Sequence, residues 1–238
     1  MDESSYQNNF KQGLRDGVPI GLGYLSVSFT FGMMAVAAGM PALCAILISM
    51  TTLTSAGQFA GLSMIVASAG YLEIALTQLV INIRYSLMSL SLSQKLDRKL
   101  KTLPWLGISF GITDEIFAVA STKSGRVGSK YMTGLIAVPY IGWALGTALG
   151  ALAGSFLPAM VQSALGIAIY GMFIAIIVPA AKKSFPVFLV TAVAVILSCL
   201  FRFVPGLNQV SGGFVIIICS VAAAGIGSLC FPKKEELL

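Results

Sequence analysis

The side chains able to do chemistry in this chain are few, and they sit where water is scarce. Thr51 to Ser63 reads TTLTSAGQFAGLS, which puts Thr54, Ser55 and Gln58 inside an apolar run extending from Pro41 to Ala69. Arg84 lies halfway along a second run, Tyr71 to about Leu92, together with Glu73, Thr77, Gln78 and Asn82. Thr113, Asp114 and Glu115 fall in the middle of a third, Leu103 to Thr122. An unpaired charge at the centre of a bilayer costs at least about 2.5 to 3.5 kcal/mol on insertion scales, so Arg84 requires a carboxylate, a bound anion or water. Two adjacent acids at the same depth need a counter-charge, a proton or water. This set of groups can pair charges, hold an anion or carry a proton. It also admits a purely architectural reading, in which Asp114 or Glu115 only neutralises Arg84.

Other chemistries are removed by what the chain lacks. It has no histidine, which excludes imidazole metal sites, Ser-His triads and histidine proton relays. Cys44, Cys199, Cys219 and Cys230 are scattered through apolar segments without a C-x-x-C spacing, so neither a zinc site nor a disulfide framework is expected, and they read as packing residues. No nucleotide-binding loop is present, and no cofactor or metal is predicted. For an intramembrane enzyme, Asp114 and Glu115 would be the one plausible acid-base pair.

The elements that must position these groups follow from composition. Hydrophobic residues make up 57% of the 238 and charged residues only 10%, against roughly 25% charged in soluble domains. With a mean hydropathy of +0.90, the chain reads as an all-α, polytopic transmembrane bundle forming a single domain over residues 1–238. Residues 1–17 read as a cytoplasmic amphipathic lead-in and 232–238 as a polar tail. The net charge of +6 comes mostly from short clusters flanking apolar runs, the mark of cytoplasmic loops rather than of a nucleic-acid surface. Predicted spans run from about Val18 to Gly39, Tyr71 to Leu92, Met132 to Phe156, Met160 to Ala181, Ser184 to Phe201 and Gly212 to Phe231, with a turn at Pro205, Gly206 and Asn208.

Two runs do not read as simple spans. The polar stretch within 41–69 makes a poor lipid-facing helix, and a helix break there would free backbone groups that hydrocarbon cannot satisfy. The alternative is a close helix contact through Gly57 and Gly61. Charge placement bears on the same question. The basic clusters at 95–101 (Lys95, Arg98, Lys99, Lys101), 123–130, 182–183 and 233–234 can share the cytoplasmic side with the amino terminus only if 41–69 and 103–122 each return to the side they entered from. One or two broken or re-entrant helices are therefore predicted.

In the third run, Glu73, Thr77 and Arg84 share one helical face while Gln78, Asn82, Ser86, Ser89 and Ser93 share the opposite one, which predicts a central helix without a lipid face. Gly142, Gly146, Gly150 and Gly154 recur every four residues and make a flat groove for another helix, of this chain or a second one, with a partner subunit the preferred occupant.

The motifs SAGQFAG from Ser55 to Gly61, NIRY from Asn82 to Tyr85 and TDEIF from Thr113 to Phe117, with the Gly17, Pro19, Gly21 entry and the Phe31-Gly32 pair, resemble the AzlC family, the large subunit of bacterial branched-chain amino acid exporters. The resemblance implies export of valine-like amino acids across the bacterial plasma membrane, with a small AzlD-type membrane subunit as partner. Under that reading Thr54, Ser55, Gln58, Asn82, Arg84, Asp114 and Glu115 bind substrate or couple transport to an ion. A freed helix amino terminus and Arg84 would supply donors for the zwitterion's carboxylate; Asp114 would accept its ammonium or carry a proton. The rival readings are a non-catalytic assembly subunit that docks a partner, and the intramembrane enzyme.

Overall fold

A computed structural model describes residues 8–97 and 100–231; Arg98 and Lys99 of the first basic cluster, the first seven residues of the lead-in and the 232–238 tail lie outside the described residues. Among the described residues the regular structure is helical: α1 Phe10–Ala37, α2 Ala42–Thr51, α3 Ser55–Val66, α4 Tyr71–Ser93, α5 Thr102–Phe110, α6 Asp114–Thr122, α7 Ser129–Ala153, α8 Ala159–Lys183, α9 Phe185–Phe203 and α10 Gly212–Cys230. Of these, α1, α7, α9 and α10 are each long and apolar enough to cross a membrane. The chain divides into two compact units, one of Met1–Phe59 with Asn82–Gly166, the other of Ala60–Ile81 with Ile167–Leu238.

The first unit is built on α1 and α7. Hydropathy predicts α1 from Val18, yet it starts at Phe10, because the Asn9 side chain accepts from the Lys11 and Gln12 amides and caps two polar turns ahead of the apolar ones. The two helices run parallel and touch backbone to backbone. A Cβ at Gly17 would lie 2.7 Å from the Leu135 carbonyl oxygen, one at Gly142 would lie 2.5 Å from that of Gly21, and one at Gly154 would lie 2.7 Å from Met33 Cγ. Gly146 and Gly150 meet the carbonyls of Leu25 and Phe29 in the same way. The glycine row is therefore occupied by α1 of the same chain, which corrects the expectation of a partner subunit there. The counterpart signal lay in α1 itself, where Gly13, Gly17 and Gly21 repeat the four-residue period.

Both interrupted runs are broken. Thr52 to Thr54 separates α2 from α3, and Gly111 to Thr113 separates α5 from α6. The ends of the α5–α6 excursion are tied together: Leu96 and Val127 form a parallel bridge, Asp97 N donates to Val127 O at 3.1 Å and Val127 N to Lys95 O at 3.0 Å. Lys95 also donates its ammonium to the Ser121 carbonyl. Lys123, just past α6, pairs with Asp16 of α1 at 2.7 Å, and Asp16 accepts from Tyr131 of α7 at 2.7 Å and from Gln12 at 2.7 Å. The excursion thus leaves and re-enters on one side, beside the starts of α1 and α7. Leu92, Ile108, Ile112, Ile116, Val127 and Tyr131 bury this hairpin against the end of α4 and the beginning of α7.

The other excursion opens at the end of α1. Gly39, with φ +89°, makes the turn that sends α2 back along α1 and α7.

Two sequence expectations do not hold. Leu72, Leu76, Leu79, Ile83, Leu87 and Leu90 form an exposed stripe along α4, so this helix has a lipid-compatible face between its two polar ones. Reading polar residues as two faces 180° apart overlooked the flank between them. Cys44, Cys199 and Cys230 are exposed, and Cys219 alone among the cysteines is buried as a packing residue. A thiol is apolar enough to sit at either place.

In the second unit, the carboxylate of Glu73, in the first turn of α4, accepts from the Ser211 hydroxyl and from Gly213 N at 3.0 Å. It caps the amino terminus of α10, where the helix dipole favours a negative charge. Gly206, with φ +93°, makes the predicted turn between α9 and α10.

Candidate functional site

The two breaks come to the same depth on the α1–α7 pair, inside the first unit. Thr54 closes the α2–α3 break: its Oγ1 accepts from Gly57 N at 3.3 Å, capping α3, and donates to Asn82 Oδ1 of α4 at 2.7 Å. Thr113 does the same for α6, accepting from Ile116 N at 3.4 Å. Asp114 and Glu115 occupy the first turn of α6, where unpaired backbone amides stabilise anions. This is why two acids can sit next to each other in an apolar run.

Arg84, two residues past Asn82, pairs with Asp114, Nη1 to Oδ2 at 2.5 Å. Both side chains stay about 40% exposed, so the pair opens onto a surface rather than being sealed in the core. The other amino group of Arg84 donates to the Tyr85 hydroxyl at 3.3 Å, and the guanidinium carbon lies 5.0 Å from the Tyr85 ring centroid. Arg84 Nε is buried without a hydrogen-bond partner among the described residues. An unused, buried guanidinium donor next to a partly exposed ion pair is what an incoming carboxylate can take.

Glu115 points elsewhere. Its carboxylate binds the Tyr24 hydroxyl of α1, which also lies 2.7 Å from Thr113 Oγ1. A single phenolic proton cannot serve both, so one of the two contacts takes its hydrogen from the partner. Gln58 is engaged at both ends of its amide: Oε1 accepts from Trp143 Nε1 at 2.8 Å, and Nε2 donates to Ser49 Oγ at 2.9 Å. Ser49 in turn bonds Thr147 at 2.7 Å. All four of these residues are buried. Ser55 opens α3 and is half-buried.

The sequence-selected residues thus sort into an open pair (Arg84, Asp114), a cap of α3 bonded to α4 (Thr54, Asn82), a carboxylate tied to α1 (Glu115) and a closed polar cluster on α7 (Gln58). Sequence reasoning missed Tyr24, Ser49, Trp143, Thr147 and Tyr140, whose hydroxyl donates to the Met50 carbonyl at 3.0 Å beside the break. An aromatic or a lone hydroxyl in an apolar span gives no periodic signal. In retrospect the two tryptophans in 238 residues invite the question of where each indole N–H finds its acceptor.

Fold and site define a multi-pass helical membrane protein with two broken runs whose polar helix starts meet on α1 and α7 of the first unit. A family model described as AzlC protein matches residues 19–157, more than half of the chain, and the chain belongs to the AzlC family. It is 31% identical over 185 residues to the Inner membrane protein YgaZ of Escherichia coli (strain K12), covering 73% of this chain and 74% of that one. It is 33% identical over 184 residues to an uncharacterized membrane protein of Archaeoglobus fulgidus, covering 76% of this chain and 80% of the relative. A Helicobacter pylori membrane protein is 27% identical over 149 residues, 61% of this chain and 64% of its own. No solved structure matches the chain.

Proposed function

We infer that this protein is the large subunit of a secondary exporter of small apolar amino acids, valine-like ones first, in the bacterial plasma membrane. The observation that carries the reading is the Arg84–Asp114 pair, partly open at the meeting level of two helix breaks, with Arg84 Nε unused. A zwitterion carries the same two charges as the pair. It can therefore take both partners at once, its carboxylate on the guanidinium and its ammonium on Asp114, so that no charge is left unpaired at mid-membrane. The freed amino terminus of α3 adds donors for the carboxylate. Broken helices at the midplane are a recurrent way of building such sites in transporters, because irregular backbone is tolerated only where it is covered by protein or faces water.

An ion gradient drives the cycle in this reading, with Asp114 exchanging a proton in the part of the cycle when no substrate ammonium sits on it. The small AzlD-type subunit completes the transporter at surfaces other than the glycine row, which α1 occupies. The test is efflux of radiolabelled valine from proteoliposomes holding the chain with and without that subunit, with and without a proton gradient. Gradient-driven efflux that requires both proteins and is competed by leucine and isoleucine supports the reading. An inert reconstituted pair, alongside hydrolysis of a lipid or peptide substrate, would replace it with the enzyme alternative.

A further inference from the structure

Tyr24 and Trp143 carry no charge, and neither lies in a sequence motif, yet they join the two broken hairpins. Trp143 donates its indole N–H to Gln58, at the start of α3. The Trp143 ring meets the Tyr24 ring edge-on, with centroids 5.2 Å apart and planes at 75°. The Tyr24 hydroxyl reaches Glu115 and Thr113 at the start of α6. Trp143 is 1% exposed and is the bulkiest fully buried side chain among the described residues. Tyr24 and Trp143 stand on α1 and α7, whose glycine contacts lock backbone to backbone on both sides of this level, at Gly21 with Gly142 and at Gly146 with Leu25. The two rings therefore sit on a support that does not yield, and each hairpin start is bonded to it through one polar atom.

We propose that Tyr24 and Trp143 are positioning residues that couple the two helix starts, so that a shift at the start of α3 is felt at the start of α6 and the reverse. The proposal rests on the transport reading for its purpose, since a substrate held between Arg84 and Asp114 needs both breaks to rearrange together. Its physical content is separate: packed interiors have discrete arrangements rather than continuous give, and two sites that bias one element affect each other reciprocally. The chain Gln58, Trp143, Tyr24, Glu115 has hydrogen bonds at its ends and a ring contact at its centre. Either end can therefore be cut without removing a ring.

The experiment is amide hydrogen exchange on the purified full chain in lipid nanodiscs. Two sets of protected amides report the two starts: Ile116 and Phe117, both bonded to Thr113, for α6, and Gly57 and Gln58, both bonded to Thr54, for α3. Trp143→Phe keeps an aromatic ring facing Tyr24 and removes the bond to Gln58. Tyr24→Phe keeps the ring and removes the hydroxyl's bonds to Glu115 and Thr113. Coupling predicts that each variant speeds exchange at the far start as well as the near one, by about fivefold, the equivalent of one net hydrogen bond. The Tyr24→Phe/Trp143→Phe double should then exchange less than the product of the two singles at both starts. A merely structural role speeds exchange at the near start only, with singles that multiply in the double, and that result overturns the proposal. Valine efflux by the unmodified protein is measured on the same purified chain sealed into proteoliposomes together with the AzlD-type subunit. Loss of far-start coupling with efflux intact rejects this inference alone, whereas reciprocal coupling without efflux rejects the transport reading and leaves the coupling standing.

Discussion

Replacing Gly142 with alanine tests the framework on which both hairpins hang. The added Cβ would lie 2.5 Å from Gly21 O, 3.1 Å from Gly21 C and 3.2 Å from Gly21 Cα, all backbone atoms that cannot rotate away. Ordinary contact begins near 3.4 Å, so α1 must retreat by about 0.9 Å at this point. Overpacking of this kind costs about 1–3 kcal/mol, while alanine gains back up to about 1 kcal/mol over glycine within a helix. Gly23→Ala supplies the matched control. It lies on α1 two residues beyond Gly21, and nothing stands within 4 Å of its Cβ position, so it keeps the helix gain without the clash. The difference between the two variants is then the clash itself. At about 2–4 °C per kcal/mol for a chain of this size, a cost of about 2 kcal/mol separates their melting temperatures by about 4–8 °C. Thermal melting in detergent, scored by the monodisperse fraction retained on size exclusion, measures it. If Gly142→Ala melts at or above Gly23→Ala, the backbone contact between α1 and α7 is not as described.

The remaining predictions concern charge and sidedness. Arg84→Gln and Asp114→Asn should each lower folded yield by leaving one charge unpaired; the double variant should recover yield but not valine efflux, and full efflux in the double would make the pair architectural. In a background lacking Cys44, Cys199, Cys219 and Cys230, cysteines placed at Ser124 and Ser184 should resist an impermeant thiol reagent on intact cells and react after permeabilisation. Strong labelling from outside at Ser124 would contradict the placement of the α5–α6 hairpin on the cytoplasmic side. Glu73→Leu strips the Ser211 hydroxyl and the Gly213 amide of their acceptor and should cost about 1–3 kcal/mol in the same melting assay, whereas Glu73→Gln, which keeps an acceptor oxygen, should cost less than half of that. Equal losses in the two would show that the charge, not the cap, matters there.

What could be read in the sequence was whatever polarity at depth reveals. Thr54 and Gln58 in one apolar run and Thr113 to Glu115 in another located both breaks, since a helix that must face lipid does not carry such residues without a reason. The basic clusters independently required the same two runs to return. That Arg84 pairs with an acid of 103–122, Asp114 or Glu115, followed from the cost of leaving either charge alone. What could not be read was which partner each group takes when several are chemically equal. Gln58 was as plausible on a substrate as on Trp143, and only the fold puts position 143 beside position 58. Glu115 separates from Asp114 because successive residues on a helix diverge by about 100°, and which of them faces Arg84 is decided by where α1 places Tyr24. The glycine row showed that a helix must lie close, but small residues attract any helix equally well, so the occupant was left open until Gly21, Leu25, Phe29 and Met33 of α1 were seen against it.

The pairing of α1 with α7 also sets an order of events during synthesis. Gly21 and Gly142 are 121 positions apart, and at roughly 5–20 residues per second the ribosome needs on the order of ten seconds to deliver the second after the first. Over that interval α1 has entered the membrane with its flat face uncovered. The α5–α6 hairpin can tie its ends earlier, since Asp97, Lys123 and Val127 all precede Ser129, but the faces of α1 and of the hairpin that α7 covers stay open until it arrives. Insertion machinery or a holding chaperone must therefore shield α1 through this period, and a chain stopped before Ser129 should be cleared by membrane proteases rather than accumulate as a stable fragment.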